Sequence, residues 1–169
     1  MSQRTRIVIA LGVIALIGAA ILGLEALRAR PLQGAAVGAG PTVAPGAAPI
    51  YLDGRLIASF APGDLEKLTK VGFTDAAEGK LQDGWALADI LRLHLADPLP
   101  DTAQITVSSS SRQKSALLSW VEVAEPANMV MFDLSNRGTL KLVSTMPKLD
   151  DRDEWIQDAD RIEIVTKAQ

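Results

Sequence analysis

The most marked feature of the hydrophobic pattern is an uninterrupted apolar run. Residues 7–24 read IVIALGVIALIGAAILGL, 18 positions without a charge. At about 1.5 Å per residue such a helix is roughly 27 Å long, which can just cross a bilayer core of about 30 Å. Arg4 and Arg6 precede the run and Arg28 and Arg30 follow it, so flanking cations alone give no orientation. A short tail ahead of one apolar run normally stays in the cytoplasm while the rest is exported. Residues 1–6 therefore read as an N-terminal tail and 7–27 as a single-pass anchor in the inner (cytoplasmic) membrane, with the C-terminal part in the periplasm. The rival is a cleaved signal that releases the domain into the periplasm, with Gly34-Ala35-Ala36 as its cleavage site; signal cores are usually about 7–15 residues, shorter than this run. Gly12, Gly18 and Gly23 form no GxxxG, so the run carries no helix-pairing motif.

The pattern then loses its periodicity. Residues 31–49, PLQGAAVGAGPTVAPGAAP, contain no charge and no aromatic side chain. Such a stretch cannot bury enough apolar surface to offset its ordering entropy. Residues 28–49 read as a linker, stiffened locally by its prolines.

From residue 50 to 169 apolar positions recur in short, mixed periods. Asp53-Gly54 between apolar neighbours is a hairpin signal, because Asp-Gly supplies the positive φ angles of a type I′ turn. Ala61-Pro62-Gly63-Asp64 opens a short helix with Leu65 and Leu68 inward. Val71 and Phe73 suggest a strand, and Glu78-Gly79 a turn. The clearest helix runs from Trp85 to Leu95, with Leu87, Ile90, Leu91, His94 and Leu95 on one face; Pro98 and Pro100 stop it. Strands are expected at 104–108, 115–118, 129–132, 140–143 and 162–165. Ser119-x-x-Glu122 matches a capping box and starts a third short helix, closed by Pro126. Short strands with inserted helices and no regular β-α-β alternation predict an α+β fold with a mixed, mainly antiparallel sheet.

Composition sharpens this picture. The chain has no Cys and one His, which removes disulfides, thiolate metal sites and His-cluster metal sites. The formal charge of −3 argues against a nucleic-acid partner. That total hides a division: residues 50–169 hold 13 Lys and Arg against 19 Asp and Glu, a net of −6, whereas residues 1–49 carry +3. An acidic domain behind a basic-flanked anchor stands away from anionic lipid.

In sequence order, Phe60-Ala61-Pro62-Gly63-Asp64-Leu65-Glu66-Lys67-Leu68, Gly84-Trp85-Ala86-Leu87-Ala88-Asp89-Ile90-Leu91, Ile105-Thr106-Val107, Leu140-Lys141-Leu142-Val143 and Trp155 through Ile164 resemble successive motifs of the sulfite oxidase-like, molybdopterin-binding domain family, in its short exported bacterial form. The resemblance covers nearly all of 50–165. It implies that family's fold. It also implies a molybdenum-ligating cysteine between the first helix and Gly84, where this chain reads VGFTDAAEGKLQD. The resemblance therefore implies the fold without the metal site, and an expectation of no cofactor, no metal and no catalytic residue. Arg112, Lys114 and Arg137 are the candidates for binding a pterin phosphate; scattered surface cations are the plainer reading.

Other constellations are weaker. Asp150, Asp151, Asp153 and Glu154 form an acidic patch that could face a partner; a calcium loop would need a Gly at its turn, and none is present. His94 is either a ligand or base, or a partly buried histidine with one backbone partner. Trp85, Trp120 and Trp155 either mark a ligand groove or anchor a core. No G-x-S-x-G elbow, P-loop or dinucleotide glycine pattern occurs. The expected function is that of a non-catalytic, membrane-anchored periplasmic domain acting as an accessory subunit with a protein partner; the alternatives are a small-ligand, pterin-like binding module and, last, a molybdopterin-dependent oxidoreductase.

Overall fold

The structure, a computed structural model, describes residues 43–166, all within Gly40–Gln169, the second of two units into which the chain divides. The expected tail, the anchor at 7–27 and the linker as far as residue 42 lie outside the described residues. Among the described residues no helix is long and apolar enough to cross a membrane.

Order begins earlier than the composition suggests. Pro45 and Gly46 form a tight turn in which the Ala47 N–H donates to the Ala44 carbonyl at 3.0 Å and Gly46 takes φ 77°. Pro followed by a positive-φ Gly is the signature of a type II turn. Strand β1 then starts at Ala48, two residues ahead of the expected boundary, and the Ala48 side chain is buried. A small apolar residue next to a proline reads as linker, yet it fits a strand start where its methyl can pack.

Strands β1 (Ala48–Leu52) and β2 (Arg55–Phe60) form the expected hairpin, with Asp53 at φ 48° and Gly54 at φ 78°. A 3-10 helix, Pro62–Lys67, follows, and then β3 (Val71–Thr74) and β4 (Leu81–Ala86). The helix predicted over Trp85 to Leu95 is shorter: α1 spans Leu87–His94. Trp85 and Ala86 end β4 instead, where they pair with Phe132 and Met131. Strands β5 (Gln104–Ser109) and β6 (Lys114–Ser119) lead into α2 (Trp120–Ala124). The capping box forms as expected: the Glu122 N–H donates to Ser119 Oγ at 3.2 Å and the Ser119 N–H donates to Glu122 Oε2 at 2.7 Å. After a second 3-10 turn, Pro126–Asn128, come β7 (Met131–Leu134), β8 (Leu140–Val143), β9 (Ile156–Gln157) and β10 (Arg161–Val165).

These strands form two five-stranded sheets, ordered β2-β1-β10-β5-β6 and β3-β4-β7-β8-β9. Among the described residues only the β1–β10 pair is parallel; every other pair is antiparallel. The fold is thus α+β, rich in antiparallel pairing, with few short helices. The main core joins the inner face of the first sheet, α1 and one face of the second sheet, through residues such as Ile50, Phe60, Leu91, Ile105, Phe132 and Leu142. A side chain of this size contributes about 1.5–3 kcal/mol when fully buried.

The other face of the second sheet is only half covered. Met131, Val143 and Trp155 form a small separate cluster there, flanked by Val71 and Phe73. Residues two apart on a strand share a face, so the cross-strand row Gly84, Asp133, Lys141 and Gln157 runs beside that cluster on the same face. This row is polar, and it underlies the site described next.

Candidate functional site: a charged groove over the second sheet

The polar row forms the floor of an open groove of about 610 Å³. Lys141 occupies its centre. Its ammonium lies 2.7 Å from Asp133 Oδ2, donates to Gln82 Oε1 at 2.9 Å and stands 4.8 Å over the Trp155 ring. Lys141 and Asp133 are largely shielded, and Gln82 is buried and donates in turn to Asp75. Asp75 is itself buried and accepts from the Glu78 N–H at 2.7 Å, so it closes the β3–β4 turn. Trp155 is locked by its indole N–H donating to the Leu149 carbonyl at 3.0 Å. The floor is thus a continuous hydrogen-bonded chain from the turn to the lysine, a geometry that fixes rotamers.

The walls carry further cations. From the β3–β4 turn, the Glu78 carboxylate pairs with Lys80 at 2.6 Å and with Arg152 at 2.9 Å. The Lys80 and Arg152 hydrogen bonds hold the Glu78 carboxyl below its usual pKa. Arg137 enters from the β7–β8 turn, where Ser135 and Gly138 close the chain reversal.

The groove continues over the start of β6 into a second lobe of about 240 Å³, lined by Arg112, Lys114, Arg152, Asp153, Trp155 and Gln157. Asp158, one residue past β9, ties the two lobes together. Arg112 Nε lies 2.8 Å from Asp158 Oδ2, and Arg137 Nη2 lies 3.2 Å from Oδ1. Thr139 also donates to Asp158 Oδ1 at 2.7 Å. The Thr139 hydrogen bond first, and then Arg112 with Arg137, keep the Asp158 carboxyl below its usual pKa. Asp158 adopts φ 55°, a conformation that short polar side chains tolerate because they bond locally.

The structure therefore brings together the three cations that sequence reasoning singled out. Arg112 and Arg137 share one carboxylate, and Lys114 lies beside Arg112 with its ammonium donating to the Asp153 carbonyl. Sequence reasoning missed Lys80, Lys141 and Arg152, and with them Gln82 and the role of Trp155. Their only sequence signal is the polar position Lys141 inside an apolar strand motif.

Asp150, Asp151, Asp153 and Glu154 are exposed on the loop between β8 and β9. They flank the groove, and Arg152 among them turns back to Glu78. Among the described residues no group of three or more His, Cys, Asp or Glu could hold a metal ion. His94 packs at 5.9 Å against Phe60, and its Nε2 is buried with no hydrogen-bond partner. Burial lowers its pKa, partly opposed by the Asp64 charge. It lines none of the groove. Trp85 and Trp120 belong to the main core. The chain matches no family model, and no curated protein matches it.

Proposed function

We propose that the chain is a non-catalytic accessory subunit with a sulfite oxidase-like fold, anchored in the inner membrane by residues 7–27, whose periplasmic domain engages a protein partner through the groove over the second sheet. The observation that supports this reading is the state of the groove's charges. Five of its six cations are already fixed by a carboxylate: Lys141 by Asp133, Arg112 and Arg137 by Asp158, Lys80 and Arg152 by Glu78. A reacting centre needs groups held apart with perturbed proton affinities aimed at one point. A wide groove of pre-ordered, mutually paired charges suits recognition of an extended surface.

The cofactor that the resemblance implies does not fit. Its metal is held by a cysteine thiolate, and the chain has no Cys. The corresponding stretch folds as β3, a turn and β4, in which Asp75 is spent on closing the turn.

A second reading, a small anionic ligand such as a pterin phosphate, is favoured by the convergence of Arg112 and Arg137 on Asp158. Membranes from the native host, extracted in neutral detergent and crosslinked, distinguish the two. A stoichiometric crosslinked partner is expected. A chain that runs alone, with inorganic phosphate raising its melting temperature, overturns the accessory reading in favour of the small-ligand one. Protease shaving of spheroplasts tests topology: the domain should be digested from outside while residues 1–6 stay protected.

A further inference from the structure

Six of the 13 Lys and Arg residues of an acidic domain line one groove: Lys80, Arg112, Lys114, Arg137, Lys141 and Arg152. The acids of the groove are Glu78, Asp83, Asp133 and Asp153, with Asp158 and the buried Asp75 behind them, and Lys70 lies 2.7 Å from Asp83. Those six cations and Lys70 against six carboxylates leave a surplus of one positive charge, although residues 50–169 carry −6. A patch whose charge opposes that of its own domain attracts what the rest of the surface repels, so the groove selects a partner of negative charge.

The geometry says what form that partner takes. The cations come from five separate chain segments and spread over two lobes rather than converging on a point. A single phosphate is held by donors that meet within about 3 Å of its oxygens. Here each of the three guanidiniums commits one nitrogen to a carboxylate: Nε of Arg112 and Nη2 of Arg137 to Asp158, and Nη1 of Arg152 to Glu78. A guanidinium carries five donors, so each keeps donors for a second acceptor. Among the described residues Lys114 meets a backbone carbonyl and no carboxylate. The row from β4 across β7 and β8 to β9 covers three inter-strand gaps of about 4.8 Å, roughly 14 Å, before the second lobe begins. An extended peptide of five or six residues covers about 17–20 Å. Trp155 is almost fully buried beneath Lys141, so the groove presents no aromatic face to stack a planar ring.

We infer that the groove is the docking site for an extended acidic segment of a protein partner, its carboxylates spaced along the row of cations from Lys80 to Arg112. This rests on the reading of the domain as an interaction subunit and adds the chemistry of what it engages.

The test uses the whole chain in neutral detergent and a fluorescein-labelled hexaglutamate peptide, with hexaserine as control, read by anisotropy at low and physiological salt. Hexaglutamate should bind, hexaserine should not, and the affinity should fall as salt rises. Exposed charge pairs are each worth a few-fold, so K114A/R137A should weaken binding roughly tenfold. Arg55→Ala, an exposed cation on the far edge of the other sheet, should leave binding unchanged. A thermal melt of each variant guards against loss of fold. Absence of hexaglutamate binding, or an equal loss with Arg55→Ala, overturns the inference. So does stabilisation by millimolar phosphate that K114A/R137A abolishes without any preference for the acidic peptide, which makes the groove a small-anion site. If a crosslinked partner is recovered while K114A/R137A leaves both crosslinking and peptide binding intact, the docking site is elsewhere and the accessory reading survives.

Discussion

Gly84 sits in the middle of β4, opposite Asp133 of β7, at the edge of the groove floor. A Cβ added there would run into the Phe132 carbonyl oxygen, with the carbonyl carbon 2.7 Å and Asp133 Cα 2.9 Å away. Ordinary carbon–carbon contacts are about 3.5–4.0 Å, so Gly84→Ala forces β4 and β7 apart by roughly 1 Å. A ladder hydrogen bond of about 2.9 Å stretched that far is lost, at a net cost of about 1 kcal/mol each. Overpacking adds about 1–3 kcal/mol. Against this, the added methyl restricts the unfolded chain and returns about 0.4–1 kcal/mol. The expected loss is about 2–4 kcal/mol, a large share of the roughly 5–15 kcal/mol of a typical domain. Gly72→Ala is the internal control: its Cβ meets the Gln82 carbonyl oxygen at 2.8 Å, but β3 is an edge strand and can shift. Its expected cost is about 1 kcal/mol or less. Urea unfolding of the whole chain in neutral detergent, followed by tryptophan fluorescence, should show a midpoint drop of about 1–2 M for Gly84→Ala with m unchanged. Equal midpoints for the two variants, or a Gly84→Ala midpoint within error of the parent, would refute the close approach of β4 to β7.

Three further outcomes follow from other parts of the structure. Ser119→Ala removes the cap of α2 and should cost about 1 kcal/mol in the same urea assay; an unchanged midpoint would show that the capping box contributes nothing. His94 is held below its ordinary pKa of 6.5 chiefly by burial, so the unfolded chain takes up the proton first. Stability should be intact above pH 6.5 and fall as pH drops below it, and His94→Leu should flatten that slope in melts run across the range. The Asp158 carboxyl is held below its ordinary 3.8 by Thr139, Arg112 and Arg137. Its contribution is present above that value and lost as pH falls through the lowered folded pKa, so Asp158→Asn should lose stability at neutral pH yet depend less on pH in acid melts.

Local signals with a single physical cause were legible in the sequence. Asp53-Gly54 needs positive φ at both positions and takes it. Ser119-x-x-Glu122 satisfies two orphan N–H groups reciprocally, and both bonds form. Leu87, Ile90 and Leu91 share a face, and all three are fully buried. The readings that missed did so where periodicity carries no information. β4 reads LQDGWA, with a buried Gln82 and a glycine where an alternating strand would show apolar side chains. Its polar interior is satisfied by the chain from Asp75 through Gln82 to Lys141, whose Gln82–Lys141 link joins positions 59 residues apart and has no local signature. β9 is two residues long, too short for a period of two to register. Division into two sheets depends on which strands pair across long intervals, and alternation in a single strand does not specify its partner.

The groove was half legible for a related reason. Arg112, Lys114 and Arg137 stand out because each sits in a polar turn or at a strand start, where a cation has no packing role. Lys80, Lys141 and Arg152 look like solvated surface residues or a strand's outward position, and only topology gathers them. The antiparallel order β4-β7-β8-β9 places Lys141 between Asp133 and Gln157, and the loop before β9 brings Arg152 to Glu78, 74 residues away. Net charge, the usual guide to a partner's sign, therefore points away from the acidic segment inferred for the groove. A total of −6 suggests a basic partner, whereas the one face with a hydrogen-bonded floor and pre-ordered guanidiniums carries a local excess of cations. With a Debye length of about 8 Å at physiological salt, the groove's cations act directly on what it holds, while the acids on the far side of the domain are screened. An acidic segment seated in the groove feels the six cations at contact and the remaining carboxylates only through screening solvent. On the inferred docking, the distribution of charge over the fold, rather than its sum, would set the partner's sign.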